Sequence, residues 1–350
     1  MNNFLLLTDD SKRFVVEQTA LREGLSKHVV EKDVWVSTIL EIVFTLPYAD
    51  KLVFKGGTSL SKVWGLIERF SEDIDLAVDR SLFGFDGELT VRQIKKLRKE
   101  SSLFVRNDFC HDLRAAVDHF GLSGYLEIEP QPDGDGDKTY PEPRQLFIRY
   151  KSLFDTELSY VRPQIVLEIG ARSLFEPTQK ASVASMITSE FPEIQTSVVQ
   201  SEITTAVAGK TFLEKAFLLH ELFTTSGCQK AERKSRHLYD LEKMMDEDFA
   251  LSAINDDKLW DTISRHREMF THVNGVDYEP DVRDRLVLVP PTEFLQIWAN
   301  DYSSMQASMI YGESLSFDAL LERMRELERR FHSRNKGLSG SEAMAQCFWR

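Results

Sequence analysis

The sequence predicts an α/β (α+β) fold, in which short strands lie between N-terminal helices and a helical C-terminal half. Residues 51–80 have the pattern of a strand, a turn, a helix and a second strand. Residues 9–46 carry apolar side chains at helical spacing, and the pattern is again helical from Ser201 onward. We therefore expect N-terminal helices over residues 1–50, a core over 51–200 and a helical domain over 201–350.

The composition is that of an ordinary globular protein. The chain has 350 residues, of which 42% are hydrophobic and 28% are charged. No apolar run approaches the roughly 20 residues that cross a bilayer, and the first residues do not form a signal peptide. Cys110, Cys228 and Cys347 include no C-x-x-C pair, which argues against disulfides and zinc. We expect a cytoplasmic location.

The net charge of −13 argues against non-specific coating of nucleic acid. Three local stretches are nevertheless basic, at residues 92–99, 230–236 and 323–336. The first and third are interpreted as solvated helix faces. The second lies within a motif discussed below, so a local basic groove stays open as an interpretation.

The N-terminal region is predicted to be helical from residue 9 to residue 46 and to end before Pro47. It contains Glu31, Lys32 and Asp33 in a row, within an otherwise apolar stretch. Taken alone, this segment is an amphipathic helix with charged neighbours.

A glycine pair follows the first predicted strand. The apolar run 52–54 ends at Gly56 and Gly57, which allow the backbone to turn sharply and to approach a ligand closely. Thr58 and Ser59 stand where a helix is expected to begin, as capping residues do. Free N–H groups at such a point suit phosphate. The helix is predicted to run to Ile67.

The chain then returns as an alternating strand, residues 73–78. Asp73 and Asp75 share one face of this strand, and apolar side chains occupy the other. Two carboxylates beside a phosphate-binding turn are what magnesium and a nucleoside triphosphate require.

Three further strands are predicted, at residues 124–129, 145–150 and 164–170. The acidic stretch 133–137 suggests a calcium loop, but Lys138 and Arg144 occupy the positions of the required Gly and Glu, so a flexible hairpin loop is favoured. In the last strand, Glu168 is an acid among apolar residues, which is costly to bury unless it is paired or metal-bound. The alternative is an edge-strand Glu that faces water.

The helix predicted over residues 204–223 is apolar nearly all round, with Lys215 in its middle. Such a lysine must extend to water, pair with an acid or meet a phosphate. After it come the basic stretch 230–236 and Asp240, which could pair with Arg236 or Lys215.

The run GGTSLSK followed by RFSEDIDLAV resembles the first motif of the polymerase-β-like nucleotidyltransferase superfamily. More closely, the chain resembles the AbiEii/MenT-type toxins of type IV toxin–antitoxin systems. The segment at Glu31–Asp33, the pair Glu214-Lys215 and the run from Arg236 to Leu241 resemble further motifs of that family. Many members carry Asp where this chain has His237.

The resemblance implies a nucleotidyltransferase core with a mixed sheet. It also implies a Mg²⁺ (or Mn²⁺) ion held by Asp73, Asp75 and Glu168. The resemblance further implies that Lys215 and the turn bind the triphosphate, and that Asp240 orients or deprotonates the acceptor hydroxyl. The turn residues are Gly56, Gly57, Thr58 and Ser59.

The implied reaction moves a nucleoside monophosphate from an NTP to an acceptor, either tRNA or a protein hydroxyl. The implied role is that of the toxin of a toxin–antitoxin or phage-defence system, with a cognate antitoxin that need not touch it. Two alternatives stay open: an enzyme that modifies a small molecule, and a non-catalytic nucleotide-binding protein.

Overall fold

The computed structural model describes residues 3–71, 73–135, 139–155, 161–199 and 202–333. The strands in this part of the chain are β1 (Leu52–Lys55), β2 (Asp73–Val78), β3 (Leu126–Pro130), β4 (Arg144–Tyr150), β5 (Gln164–Gly170), β6 (Thr178–Ala181) and β7 (Ile203–Ala206). The α-helices are α1 (Asp9–Glu23), α2 (Lys27–Val43), α3 (Gly56–Lys62), α4 (Val91–Phe104), α5 (Cys110–His119), α6 (Met186–Glu190), α7 (Ala208–Phe223), α8 (Arg236–Met244), α9 (Asp248–Asn255), α10 (Asp257–Phe270), α11 (Leu295–Ser308) and α12 (Phe317–His332).

The strands of the described residues form one mixed sheet in the order β3-β4-β5-β2-β1-β7-β6. Strand β2 is antiparallel to β1 and parallel to β5, and β1 is parallel to β7. The strand that carries Glu168 is therefore in the interior of the sheet, between β4 and β2, and not at an edge.

One face of the sheet is apolar and fully buried. Ile74 and Leu76 of β2 pair in register with Leu167 and Ile169 of β5, and all four are at most 1% exposed. Helix α2 packs against β5 and α5. Because strand side chains alternate between faces, this arrangement puts Asp75 and Glu168 together on the opposite face.

The predicted N-terminal helical region is two helices. Thr8 caps α1 and Ser26 caps α2, each by accepting a hydrogen bond from the backbone N–H three residues on. Gly24 ends α1 in the left-handed conformation, with φ of 67°. The helices pack against each other and form a small core around Val16 and Val30, both fully buried.

The chain divides into two compact units. The first holds the residues up to Thr211 together with Gln306–Glu313, and the second holds Phe212–Met305 together with the residues from Ser314 onward. Within the second unit, α12 packs on α8, and the ring of Phe217 stacks on that of Trp260 with centroids 5.2 Å apart. The three-part division predicted from the sequence stays a prediction.

Some elements differ from the prediction. Residues 203–206, predicted to be helical, form β7, because Thr205 lies in register with Phe54 and donates its hydroxyl to the Phe54 carbonyl. Strand β6 was not predicted. Helix α3 ends at Lys62 rather than at Ile67, and Gly65 follows it with φ of 62°. None of the helices in the described ranges has the length and apolar character needed to cross a membrane.

Two sequence features fall partly outside the described residues. Of the acidic stretch 133–137, residues 136 and 137 are outside, while Asp133 pairs with Arg144 at 2.5 Å and with Arg106. The basic stretch 323–336 is described only to residue 333, and Cys347 lies outside. Cys110 and Cys228 are buried free thiols.

Candidate active site

Asp75 and Glu168 lie side by side at the centre of the polar face of the sheet. They are register partners across β2 and β5, which run parallel. On the other side of Asp75 is Lys55, its partner across β1. The three residues form one row across the sheet, with two carboxylates at one end and an ammonium group at the other.

The pKa of Glu168 is raised above its ordinary value. Burial is the main cause, and the negative charge of Asp75 adds to it. The hydrogen bond from the Gln145 amide, at 2.5 Å, and the charge of Lys55 act in the opposite direction. Two adjacent carboxylates, one of which ionises reluctantly, favour a cation beside them.

The two glycines of the turn touch different parts of the site. Gly56 has φ of 79°, and a Cβ placed on it would be 2.9 Å from the Asp75 carboxyl carbon. A Cβ on Gly57 would be 2.6 Å from an Arg69 guanidinium nitrogen and 3.1 Å from the Ser71 hydroxyl. A side chain at Gly56 is therefore excluded by the Asp75 carboxyl group and by the positive φ, whereas one at Gly57 would displace the end of the Arg69 side chain.

Thr58 and Ser59 are inside the first turn of α3 and do not cap it, contrary to the prediction. The helix begins at Gly56, with Lys55 at the capping position and no capping side-chain hydrogen bond. The Thr58 hydroxyl bonds to the Asp73 carbonyl and lies 2.8 Å from the Ser71 hydroxyl. Ser59 donates to the Gly56 carbonyl at 2.8 Å. These hydroxyls hold the turn against β2.

A short two-stranded contact holds the segment that precedes β2. The Phe70 N–H donates to the Met309 carbonyl at 2.7 Å, and the Tyr311 N–H donates to the Glu68 carbonyl at 3.0 Å. Arg69, between these bonds, is 2% exposed. Its side chain and Ser71 also line a cavity of about 190 Å³ next to the turn.

The charged segment of α2 is buried and fully engaged. Glu31 accepts hydrogen bonds from the Ser152 hydroxyl and the Leu153 N–H, both at 2.6 Å. Asp33 pairs with Lys62, the last residue of α3, and accepts a hydrogen bond from the Met186 N–H at 2.7 Å. Asp33 thus ties α3 to α2 and α6, which makes this segment a support of the turn.

The predicted three-carboxylate set is brought together only in part. In the residues that the structure describes, no three His, Cys, Asp or Glu side chains are grouped closely enough to hold a metal ion. Asp75 and Glu168 adjoin, whereas Asp73 lies two residues earlier on β2, about 7 Å along the strand. Adjacent carboxylate oxygens suit Mg²⁺ or Mn²⁺, so the donor chemistry fits a divalent cation.

Lys215 and Asp240 form a buried ion pair within the second unit. Lys215 Nζ lies 2.9 Å from Asp240 Oδ2, and the two side chains are 9% and 0% exposed. Lys215 Nζ is also 3.4 Å from His237 Nδ1. The pairing of Lys215 with Asp240 was one of the alternatives open from the sequence.

Sequence reasoning missed Lys55 and Gln145, which flank the two carboxylates. Each is a polar residue next to an apolar strand segment, and that signal was present in the sequence. The sequence alone does not show which strands pair, and the pairing is what makes Lys55 and Gln145 the cross-strand partners of Asp75 and Glu168.

The class of the protein follows from these observations. A mixed sheet carries two adjoining acids on neighbouring parallel strands, beside a Gly-Gly turn whose backbone closely approaches one of them. This arrangement is typical of a nucleotidyltransferase fold.

The family can be stated as well. The family model of the AbiEii nucleotidyl transferase toxin of type IV toxin–antitoxin systems matches residues 39–323. The chain belongs to this family and is a nucleotidyltransferase toxin of a type IV toxin–antitoxin system, which confirms the resemblance of its motifs.

A solved structure supports the fold. The nucleotidyltransferase toxin MenT4 from Mycobacterium tuberculosis is similar to the chain with a TM-score of 0.51 and 18% sequence identity. The similarity covers 94% of this chain and 91% of that one, so it extends over both compact units. No curated protein sequence is significantly similar to the chain.

Proposed function

We propose that the protein transfers a nucleoside monophosphate from an NTP to a hydroxyl group of an RNA acceptor, with tRNA as the acceptor class. The acceptor oxygen forms a bond to the α-phosphorus, the bond from that phosphorus to the bridging oxygen breaks, and pyrophosphate leaves. The observation that carries the proposal is the register pairing of Asp75 with Glu168 beside Gly56.

Asp75 and Glu168, with Asp73 further along the strand, would hold the divalent cation. When bound, the cation stabilises negative charge on the phosphates. Gly56 lets the backbone, and hence the triphosphate, come close to Asp75. Gln145 fixes the Glu168 carboxyl group by its hydrogen bond of 2.5 Å, and Lys55 offsets part of the carboxylate charge.

The turn residues Gly57, Thr58 and Ser59 would bind the phosphates, supported by the hydroxyl contacts that fix the turn. For Lys215 and Asp240, the motif resemblance supports roles toward the triphosphate and the acceptor hydroxyl. Because the two side chains form a buried ion pair, a change in the charge or position of one affects the other, which supports a joint role for Lys215 and Asp240. A cognate antitoxin follows from the family.

The test is the transfer of label from each of the four α-labelled NTPs into total tRNA and into total protein, with Mg²⁺ present. Asp75→Asn keeps the shape of the carboxyl group and removes its charge. Glu129→Gln is the matched control, because Glu129 is on the same face of the sheet but pairs with Arg149 at 2.6 Å.

We expect label in tRNA with the wild type and with Glu129→Gln, and none with Asp75→Asn. Label in protein alone would reject the RNA acceptor. Full activity of Asp75→Asn would reject the site. Absence of label from both acceptor classes, with folded protein, would favour a small-molecule acceptor or a binding protein.

A further inference from the structure

The second unit carries a cluster of cations that the proposed chemistry does not use. Lys230, Arg233, Lys234 and Arg236 fall within seven residues that contain one acid, Glu232. We name residues 230–236 the basic loop. Such a concentration is notable in a chain whose net charge is −13.

The basic loop is held in a fixed shape by α11. The Asp301 carboxylate accepts hydrogen bonds from the Arg233 N–H at 2.6 Å, the Ser235 N–H at 2.9 Å and the Ser235 hydroxyl at 2.5 Å. Just before the loop, the Cys228 carbonyl accepts a hydrogen bond of 2.8 Å from the Trp298 indole. The loop is thus anchored at both ends.

Arg233 has φ of 58°, in the left-handed region that favours glycine. A side chain in this conformation costs about 1 kcal/mol or more and persists only where its surroundings impose it. Here the three hydrogen bonds to Asp301 do so. Arg233 is exposed, so the conformation directs a cation to solvent instead of filling a core.

Three of the four cations of the loop are not paired with an acid in the part of the chain that the structure describes. In the described ranges, Lys230, Lys234 and Arg236 form no ion pair with any carboxylate. The pKa of Lys234 is lowered, first by burial and then by the charge of Lys230. Two like charges held together in this way favour an anion between or across them.

The loop leads directly into α8 and its buried ion pair. Arg236 begins α8, and Asp240 follows four residues later on the same side of the helix, about 6 Å along its axis. Arg236, the last cation of the loop, is therefore about one helical turn from Asp240, which pairs with Lys215 at 2.9 Å, and all of these residues belong to the second unit.

We propose that the basic loop binds the sugar-phosphate backbone of the RNA acceptor. The cations are distributed along an anchored segment in which Lys230 and Arg233 are exposed and Lys234 and Arg236 are half-buried. Such a row matches a repeating series of phosphates better than one compact triphosphate. This assignment rests on the proposed function, because it presupposes an RNA acceptor. It adds which part of the chain binds that RNA.

The test measures the binding of fluorescently labelled total tRNA by anisotropy, without NTP, at salt concentrations from about 50 to 300 mM. Each phosphate contact lowers the logarithm of the binding constant by about 0.7–0.9 for a tenfold rise in salt. The variant is Lys230→Gln/Lys234→Gln. The matched control is Lys258→Gln/Arg265→Gln, which removes two exposed cations from α10 of the same unit.

We expect the Lys230→Gln/Lys234→Gln variant to bind tRNA about tenfold more weakly, with a salt slope shallower by about 1.4–1.8, and the control to match the wild type. The single variant Lys230→Glu changes only an exposed side chain and should weaken binding as well, which guards against misfolding. Binding of labelled NTP should stay unchanged in all three.

Equal tRNA affinity of the wild type and both loop variants would overturn the assignment, as would a wild type that binds no tRNA. A selective loss of NTP binding would overturn it too, in favour of a triphosphate site. If the wild type binds tRNA through the loop but transfers no label to it, the assignment stands and the proposed reaction fails.

Discussion

The sharpest test of the site is Gly56→Ala, which adds one methyl group. Gly56 has φ of 79°, and its added Cβ would be 2.9 Å from the Asp75 carboxyl carbon and nearer still to Oδ2. Carbon atoms in contact prefer about 3.5–4.0 Å. The Asp75 carboxyl group must therefore move by about 1 Å, or the turn must move by the same distance.

Two costs can be separated. An alanine in the left-handed region costs about 1–2 kcal/mol in stability. The displacement of Asp75 is a different cost, since a shift of about 1 Å in a positioned group lowers a rate by about 100-fold. We therefore expect Gly56→Ala to lose about 1–2 kcal/mol of unfolding free energy and about 100-fold in nucleotidyl transfer.

Gly84→Ala is the matched control. Gly84 has φ of 73°, and nothing lies within 4 Å of a Cβ placed on it. This variant carries the same backbone strain without a collision. Urea unfolding and the initial rate of label transfer, measured on both variants, should give similar losses of stability and a loss of activity in Gly56→Ala alone.

Wild-type activity of Gly56→Ala would refute the reasoning, because the added methyl group cannot avoid the Asp75 carboxyl group without a shift. Equal losses of activity in both variants would also refute it. In that case general destabilisation, and not displacement of Asp75, would account for the effect.

Three further predictions concern buried charge. Asp240→Asn should lower the free energy of unfolding in urea by about 3 kcal/mol, because Lys215 stays buried without its counter-charge. The double variant Lys215→Met/Asp240→Asn should recover part of this loss. If the effects of the two single substitutions simply add in the double variant, the coupling is contradicted. Burial lowers the pKa of His220 to about 4, from 6.5, so the unfolded chain binds the proton more readily. Protonation of His220 should therefore lower the free energy of unfolding by about 2 kcal/mol between pH 7.5 and pH 5. In His220→Gln the decrease over this range should be about 2 kcal/mol smaller. If the two proteins lose stability in parallel as the pH falls, this prediction is contradicted. Burial and the charge of Asp75 raise the pKa of Glu168, so its ionised form is unfavourable in the folded chain. Without divalent cations, Glu168→Gln should therefore resist urea better than the wild type while losing transfer activity; a less stable variant would show that the ionised group is favourable.

Local patterns were enough to predict much of the local geometry around the candidate site. The alternation of residues 73–78 and 164–170 gave the correct faces for Asp75 and Glu168, because a strand has a period of two. The glycine pair follows β1 as predicted, and Gly56 approaches Asp75 too closely to carry a side chain. These features depend on residues that are near one another in the chain.

The errors concern interactions between distant segments. The run 203–206 was assigned to a helix because its neighbours are helical, yet it pairs with β1, about 150 residues earlier in the chain. The sequence predicts a helix cap at Thr58, but its hydroxyl bonds to the Asp73 carbonyl. Neither contact can be read from spacing, because each depends on which strands become neighbours.

The departure of His237 from the acid common in the family has a physical interpretation. Lys215 lies 2.9 Å from Asp240 and 3.4 Å from His237 Nδ1. A protonated lysine can only donate a hydrogen bond, so Nδ1 of His237 is the acceptor in its contact with Lys215. A carboxylate in place of His237 would add a negative charge near the fully buried Asp240, and burial of a second negative charge is costly. His237 keeps a hydrogen bond to Lys215 while avoiding this cost, which leaves Lys215 with a single acid partner among the three.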